Sequence, residues 1–290
     1  MKPKVLINYA ILCFIWGTTW IILKKSLIGG TPPFFGSGFR FFFGGIILWD
    51  VILYKRDFPS FKALPLQLYV QFGLLNLTIC YGLTYWATQF IYSSLSALIW
   101  AGFPLCVAVF SYFMLPDEVL TKKKIISLFL GTIGALLILR EGLSFKGDQV
   151  VIGIFMVVIA VIIAGYPNVY LKRYSNAVTS LHLNAVSQLI AGITLLIISF
   201  VFESDQKMVW NNFNIFALAY LTIFGSLIAW YIYFWLFPHI SMSQISYIAF
   251  FPPVMASILG LIFLDEKLSI LAIFGGGLVI FGAVLVNLNE

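Results

Sequence analysis

Phe103–Glu118 reads FPLCVAVFSYFMLPDE, and Phe251–Glu266 reads FPPVMASILGLIFLDE. Each is an apolar run with proline in second place and an Asp-Glu pair at its end, and the two stand 148 residues apart. The same offset carries Leu23-Lys24 onto Leu171-Lys172, Gly17 onto Gly165, Gly44 onto Gly192 and Tyr85 onto Tyr233. It also carries Gly134-Ala135 onto Gly282-Ala283, and it lays 5–142 over 153–290 without a gap. An ungapped internal repeat in so apolar a chain marks a duplicated membrane protein.

The composition agrees. The chain has 290 residues, 61% hydrophobic and 10% charged, where soluble domains carry about 25% charged residues. A spanning helix needs roughly 20 apolar residues. Ten stretches qualify: 5–28, 33–54, 66–88, 92–114, 122–140, 150–171, 180–202, 213–236, 241–264 and 268–287. They are numbered as spans 1 to 10. The expected fold is an all-α integral membrane protein with five spans in each repeat, 1–146 and 147–290. The short connections leave no room for a soluble catalytic or nucleic-acid-binding domain. The net charge of +6 suits lysines and arginines facing anionic lipid, so the lipid bilayer is the expected partner and nucleic acid is not. Cys13, Cys80 and Cys106 lie in apolar stretches without metal-ligand spacing and read as packing residues.

Ten spans put both termini on one side. With the N-terminus cytoplasmic, inside segments hold ten basic residues against six outside, which favours cytoplasmic termini in the plasma membrane. Five is odd, so the second repeat enters from the opposite face. Equivalent spans then run antiparallel around a central cavity, the inverted repeat of many alternating-access transporters.

Proline removes a backbone donor and clashes with the carbonyl four residues back. Pro104 in span 4, Pro167 in span 6, and Pro252 and Pro253 in span 9 are therefore expected helix breaks or hinges. Polar and aromatic residues gather at the same depth, and those on a face with a proline or small polar residue are candidates to line the cavity. Trp16 and Thr19 come from span 1, Tyr81 and Tyr85 from span 3, and Trp100 from span 4. Tyr166 and Asn168 come from span 6, Tyr233 from span 8 and Tyr247 from span 9.

Arg40 lies about two turns inside span 2, and its repeat equivalent is Gln188. An intramembrane arginine is a functional candidate, and the two read as an inward-facing polar pair. No Asp or Glu lies at mid-membrane, which argues against transport of bare cations and favours neutral, zwitterionic or weakly anionic solutes. Asp117-Glu118 and Asp265-Glu266 precede spans 5 and 10 and read as their N-terminal caps. Thr31 and Thr179 read as caps of spans 2 and 7. Glycines in spans 5 and 10, among them Gly131 and Gly276, suit close helix contacts, and both a monomer and a homodimer are compatible with them. His182 and His239 look isolated. No metal site, cofactor or catalytic residue is expected, and a membrane enzyme acting on lipids is the disfavoured alternative.

Trp16-Gly17, Arg40, the two proline-to-glutamate segments and the paired Gly-Ala ends together resemble the EamA-type members of the drug/metabolite transporter superfamily. The resemblance covers essentially the whole chain. It implies ten helices with a central cavity among spans 1, 3, 4, 6, 8 and 9, and secondary transport of small metabolites. Tyr81, Tyr85 and Trp100 fall where the aromatic amino acid exporters of this family line their cavity, although Gly82 stands where those have histidine. The expected function is therefore export of amino acids or similar solutes by alternating access, with uptake or exchange of another metabolite as the alternative.

Overall fold

The computed structural model describes residues 2–115, 148–266 and 269–287, together with single helical positions within 122–137. Among the described residues there is no strand, and eight helices are long and apolar enough to cross a membrane. Pro3–Ile28, Pro33–Lys55, Ala63–Thr88 and Ser93–Met114 are spans 1 to 4. Gln149–Arg173, Ser180–Phe202, Asn212–Leu236 and Met242–Leu264 are spans 6 to 9. Span 10 is the helix Ile270–Asn287. Most of span 5, and the Asp117-Glu118 turn before it, lie outside the described residues.

Among the described residues four spans depart from regular α-helix, in two matched pairs. Spans 4 and 9 are broken. Span 4 is helical over Ser93–Trp100, turns at Ala101 and Gly102, and resumes as Phe103–Met114. Span 9 is helical over Met242–Ser246, tightens to a 3-10 turn over Tyr247–Phe250, and resumes as Phe251–Leu264. In each case the prolines stand in the first turn of the second piece, where the missing N–H would be unpaired anyway. Spans 3 and 8 widen to π-helix over Phe72–Cys80 and Ile223–Ile228. A hydroxyl braces each widened turn from five residues on: Thr78 donates to the carbonyl of Gly73 (2.9 Å), and Ser226 to that of Leu221 (3.1 Å). Both members of these bonds are related by the 148-residue offset. Pro167 behaves differently. It lies inside Asp148–Arg173, which is helical throughout, so the break expected there does not form; surrounding helices can satisfy the freed groups around a membrane proline.

Spans 2 and 7 cross at glycines. Gly38 faces the backbone of Leu195 and Leu196, Gly45 faces Leu189, and Gly44 faces the Gln188 side chain. Partner numbers fall as position rises, so the two helices run antiparallel. Gly192, the repeat equivalent of Gly44, lies against the backbone of Phe42. The small residues bring the two backbones into close approach. Gly131 and Gly276, expected to make close helix contacts, abut Leu105 and Leu98 of span 4.

Charged side chains close the helix ends. Lys24 Nζ donates to the carbonyls of Thr88 (2.7 Å), Gln89 (3.0 Å) and Ile91 (3.0 Å) at the end of span 3. Lys172 Nζ donates to those of Phe237 and Ile240 at the end of span 8. Both lysines lie within helices, Lys172 one residue past the expected end of span 6, and both reach the orphan carbonyls of another helix. Glu266, expected to cap span 10, among the described residues serves span 4 instead. Its carboxylate accepts from the N–H groups of Ser93 (2.8 Å) and Ser94 (3.1 Å), at the start of span 4. Thr179 caps span 7, accepting from the His182 N–H at 3.2 Å. Thr31 does not cap span 2. Pro32 and Pro33 have no N–H to offer it, and its hydroxyl bonds Ser26 instead (2.7 Å). The first free amides, Phe34 and Phe35, reach the Glu203 carboxylate at 2.8 and 2.9 Å.

Candidate functional site: an aromatic cavity between the broken spans

A cavity of about 120 Å³ lies where the broken spans 4 and 9 face spans 1, 3, 6 and 8, with Arg40 reaching in from span 2. One water needs roughly 10–15 Å³ of such space, so the cavity has room for a small solute. Span 1 contributes Trp16, Thr19, Trp20 and Leu23, one face at the i, i+3, i+4, i+7 spacing of a helix. Span 3 contributes Asn76, Tyr81, Thr84 and Tyr85. Asn76 and Tyr81 are five apart, and the i→i+5 bonding of the π-helix between them brings such residues onto one face. Trp100 and Phe103 flank the break of span 4, and Ser246, Ile248, Ala249 and Pro252 come from the break of span 9.

The aromatic wall is continuous. Tyr85 meets Tyr81 (ring centroids 6.3 Å apart), Tyr81 meets Trp230 (5.9 Å), and Trp230 meets Trp16 (5.3 Å) and Tyr233 (5.2 Å). Such pairs contribute about 0.5–1.5 kcal/mol each beyond burial, which makes the wall rigid. Two polar networks open onto it. In the first, Arg40 Nε donates to Ser226 Oγ (2.8 Å) and an Nη donates to the Tyr85 hydroxyl (2.7 Å). In the second, the Tyr233 hydroxyl donates to Asn168 Oδ1 (2.7 Å), and Asn168 Nδ2 donates to Asn76 Oδ1 (2.9 Å) and the Ala164 carbonyl (2.8 Å). Trp100 Nε1 donates to Thr84 Oγ1 at 3.2 Å.

Seven of the nine residues proposed from sequence as solute contacts border this cavity: Trp16, Thr19, Tyr81, Tyr85, Trp100, Asn168 and Tyr233. Tyr166 and Tyr247 do not. Two residues along a helix turn roughly 200°, so with Asn168 facing the cavity Tyr166 faces away; it stacks on Tyr170 and meets Phe110. Tyr247 lies in the 3-10 turn, where residues three apart eclipse, and it stacks on Phe250 at 5.6 Å. Arg40 and Gln188 part ways. Arg40 borders the cavity, whereas Gln188 is buried in the crossing of spans 2 and 7, with its amide on Asn184 Oδ1 and the Ser226 carbonyl. Sequence reasoning missed Ser226 and Thr84 as site residues. The signal for Ser226 was its hydroxyl equivalent Thr78, 148 residues before it. His182, read as isolated, has Asp57 for company, with Nε2 3.3 Å from Oδ2. Among the described residues no cluster of His, Cys, Asp or Glu is built to hold a metal.

The model of the EamA-like transporter family matches residues 4–140 and 151–288. The chain belongs to this family. It is 27% identical over 279 residues to the uncharacterized transporter YoaV of Bacillus subtilis (strain 168), covering 96% of this chain and 95% of that protein. It is 28% identical to the S-adenosylmethionine/S-adenosylhomocysteine transporter of Chlamydia muridarum, over 100% of this chain and 93% of that one. The uncharacterized inner membrane transporter YedA of Escherichia coli (strain K12) is also 28% identical, covering 96% and 89% of the two chains. A solved crystal structure at 20% sequence identity superposes with a TM-score of 0.71 over 99% of this chain and 98% of its own, which shows a shared fold. This EamA-like protein is thus a multi-pass membrane protein of a transporter family, and the three relatives above are named as transporters.

Proposed function

We propose that this EamA-like protein is a secondary transporter that moves amino acids or similar zwitterionic or neutral solutes out of the cell by alternating access. The architecture proposed is ten spans in two inverted repeats, 1–146 and 147–290, with both termini cytoplasmic. The observation that carries the reading is the cavity itself, set between two helices broken at positions related by the 148-residue repeat. The matched π-turns, the antiparallel crossing of spans 2 and 7 and the matched lysines support it further. Two near-equivalent halves around one site supply two arrangements of similar energy, one open to each side. Pro104 and the Pro252-Pro253 pair act as hinges, and the seven cavity residues above contact the solute.

Counterflow in proteoliposomes tests this, with the twenty amino acids as the panel. S-adenosylmethionine joins the panel because one relative carries that name and because it bears an amino acid head. Flux of at least one compound is expected; a blank across the panel ends the solute assignment. Trp100→Ala should lower that flux about tenfold while the protein remains folded, in keeping with the roughly 1.5–3 kcal/mol a large buried apolar side chain contributes. Unchanged flux removes Trp100 from the site.

A further inference from the structure

Arg40 is a buried cation with no counter-ion among the described residues. It is 3% exposed, and its two hydrogen-bond partners, Ser226 and Tyr85, are neutral. The rings of Phe41, Tyr81 and Tyr85 lie 5.1, 5.3 and 5.9 Å from its guanidinium carbon, and they too are neutral. A guanidinium carries five N–H groups and no acceptor; two of them meet protein acceptors here. Burying a charge without a partner costs several kcal/mol, and such charges in proteins are paired. The missing partner has a place to sit, because Arg40 borders the central cavity.

The rest of the wall fits an acceptor-rich guest. No Asp, Glu or second cation is among the cavity residues. The indole N–H of Trp16 is buried without a hydrogen-bond partner, and its ring borders the cavity. The Tyr85 hydroxyl accepts from Arg40, which leaves its own proton to donate. These are donors awaiting acceptors. A single guanidinium also sets the charge of the guest. A phosphate carries about −1.5 to −2 near neutral pH, more than one buried arginine neutralises, whereas one carboxylate balances it and matches its planar fork.

We propose that Arg40 and Tyr85 form a carboxylate subsite for the transported solute, with Ser226 as the positioning residue that fixes the guanidinium. This rests on the transport reading above and narrows it from neutral or zwitterionic solutes to those with a free carboxylate. Ser226 stands in the π-turn of span 8, so the subsite joins spans 2 and 3 of one repeat to span 8 of the other.

The test is a binding comparison on the purified full-length protein, read by quenching of tryptophan fluorescence. Each of the twenty amino acids is titrated beside its α-carboxamide, which keeps the side chain and removes the α-carboxylate. At least one acid should bind tenfold or more tightly than its amide. Arg40→Gln should bring that ratio close to one. Tyr85→Phe, a milder change less prone to misfolding, should lower it severalfold, and Ser226→Ala should lower it while Arg40 is still present. If no acid outbinds its amide, or the ratio survives both Arg40→Gln and Tyr85→Phe, the subsite is refuted. The carrier reading is judged separately by counterflow. Acid preference without flux sinks the carrier and keeps the subsite; flux without acid preference does the reverse.

Discussion

Lys24 and Lys172 stand at one repeat distance and perform one task; Arg40 and Gln188 stand at the same distance and have separated. Each lysine reaches out of its own helix to carbonyls that end a neighbouring span, Thr88, Gln89 and Ile91 in one half, Phe237 and Ile240 in the other. Arg40 meets the cavity, while Gln188 is enclosed in a helix crossing. The reason is physical. A helix end in a membrane leaves the same carbonyls unpaired in both copies, so both copies keep the same remedy. The cavity lies between the halves, and a guest with one carboxylate, as proposed above, needs one cation for it, not two. In these two pairs the retained equivalence serves the scaffold and the lost one serves the site.

The crossing of spans 2 and 7 gives the strongest test. An alanine at 192 places a methyl against the backbone nitrogen and Cα of Phe42, which cannot yield without moving the helix. An alanine at 44 meets the tip of the Gln188 side chain, which can turn aside. Gly192→Ala should therefore destabilise by about 3 kcal/mol or prevent folding, in the upper range for overpacking. Gly44→Ala should cost about 1 kcal/mol or less. Scanning fluorimetry of both variants measures the difference, and equal shifts would show that the two sides of the crossing are packed alike.

The lysines come next. Lys24→Met removes the partner of three carbonyls and Lys172→Met of two. Lys24 is also the more buried. Each orphaned buried group costs about 1–3 kcal/mol, less where other donors remain. Both variants should melt earlier, Lys24→Met by the larger margin, and both should leave the acid-to-amide binding ratio unchanged. A shifted ratio in either would place the lysines in the site and undo the division between scaffold and site.

Much of this was legible in the chain. The 148-residue offset, the prolines at 104 and 252, and the Tyr85–Tyr233 match point to two broken spans around a polar centre. What a charge does at long range was not. Glu266 precedes span 10 in sequence, yet it serves the start of span 4, 173 residues away; local capping rules see neighbours only along the chain. Side-chain direction was lost wherever the helix changes pitch. Tyr247 was misplaced because a 3-10 turn rotates each residue further than an α-turn, and Asn76 was undervalued because a π-turn rotates it less. Proline alone did not signal a break either, since Pro167 sits in an unbroken helix.

The smallest effect is expected at Tyr233, and it sharpens the comparison most finely because Tyr85 is its repeat equivalent. Tyr233→Phe removes one donor to Asn168 Oδ1, while the Asn168 amide keeps its bonds to Asn76 and Ala164. Deleting a hydrogen bond of this kind costs about 1 kcal/mol. The network it belongs to is uncharged, so the acid-to-amide ratio should not move. Tyr85→Phe deletes the same hydroxyl at the matched position, but there it accepts from Arg40, and the ratio should fall. Two identical substitutions, equivalent in the repeat, then give different specificities and similar stabilities. Equal ratios for the two would mean that the charge on Arg40 is not felt by the guest.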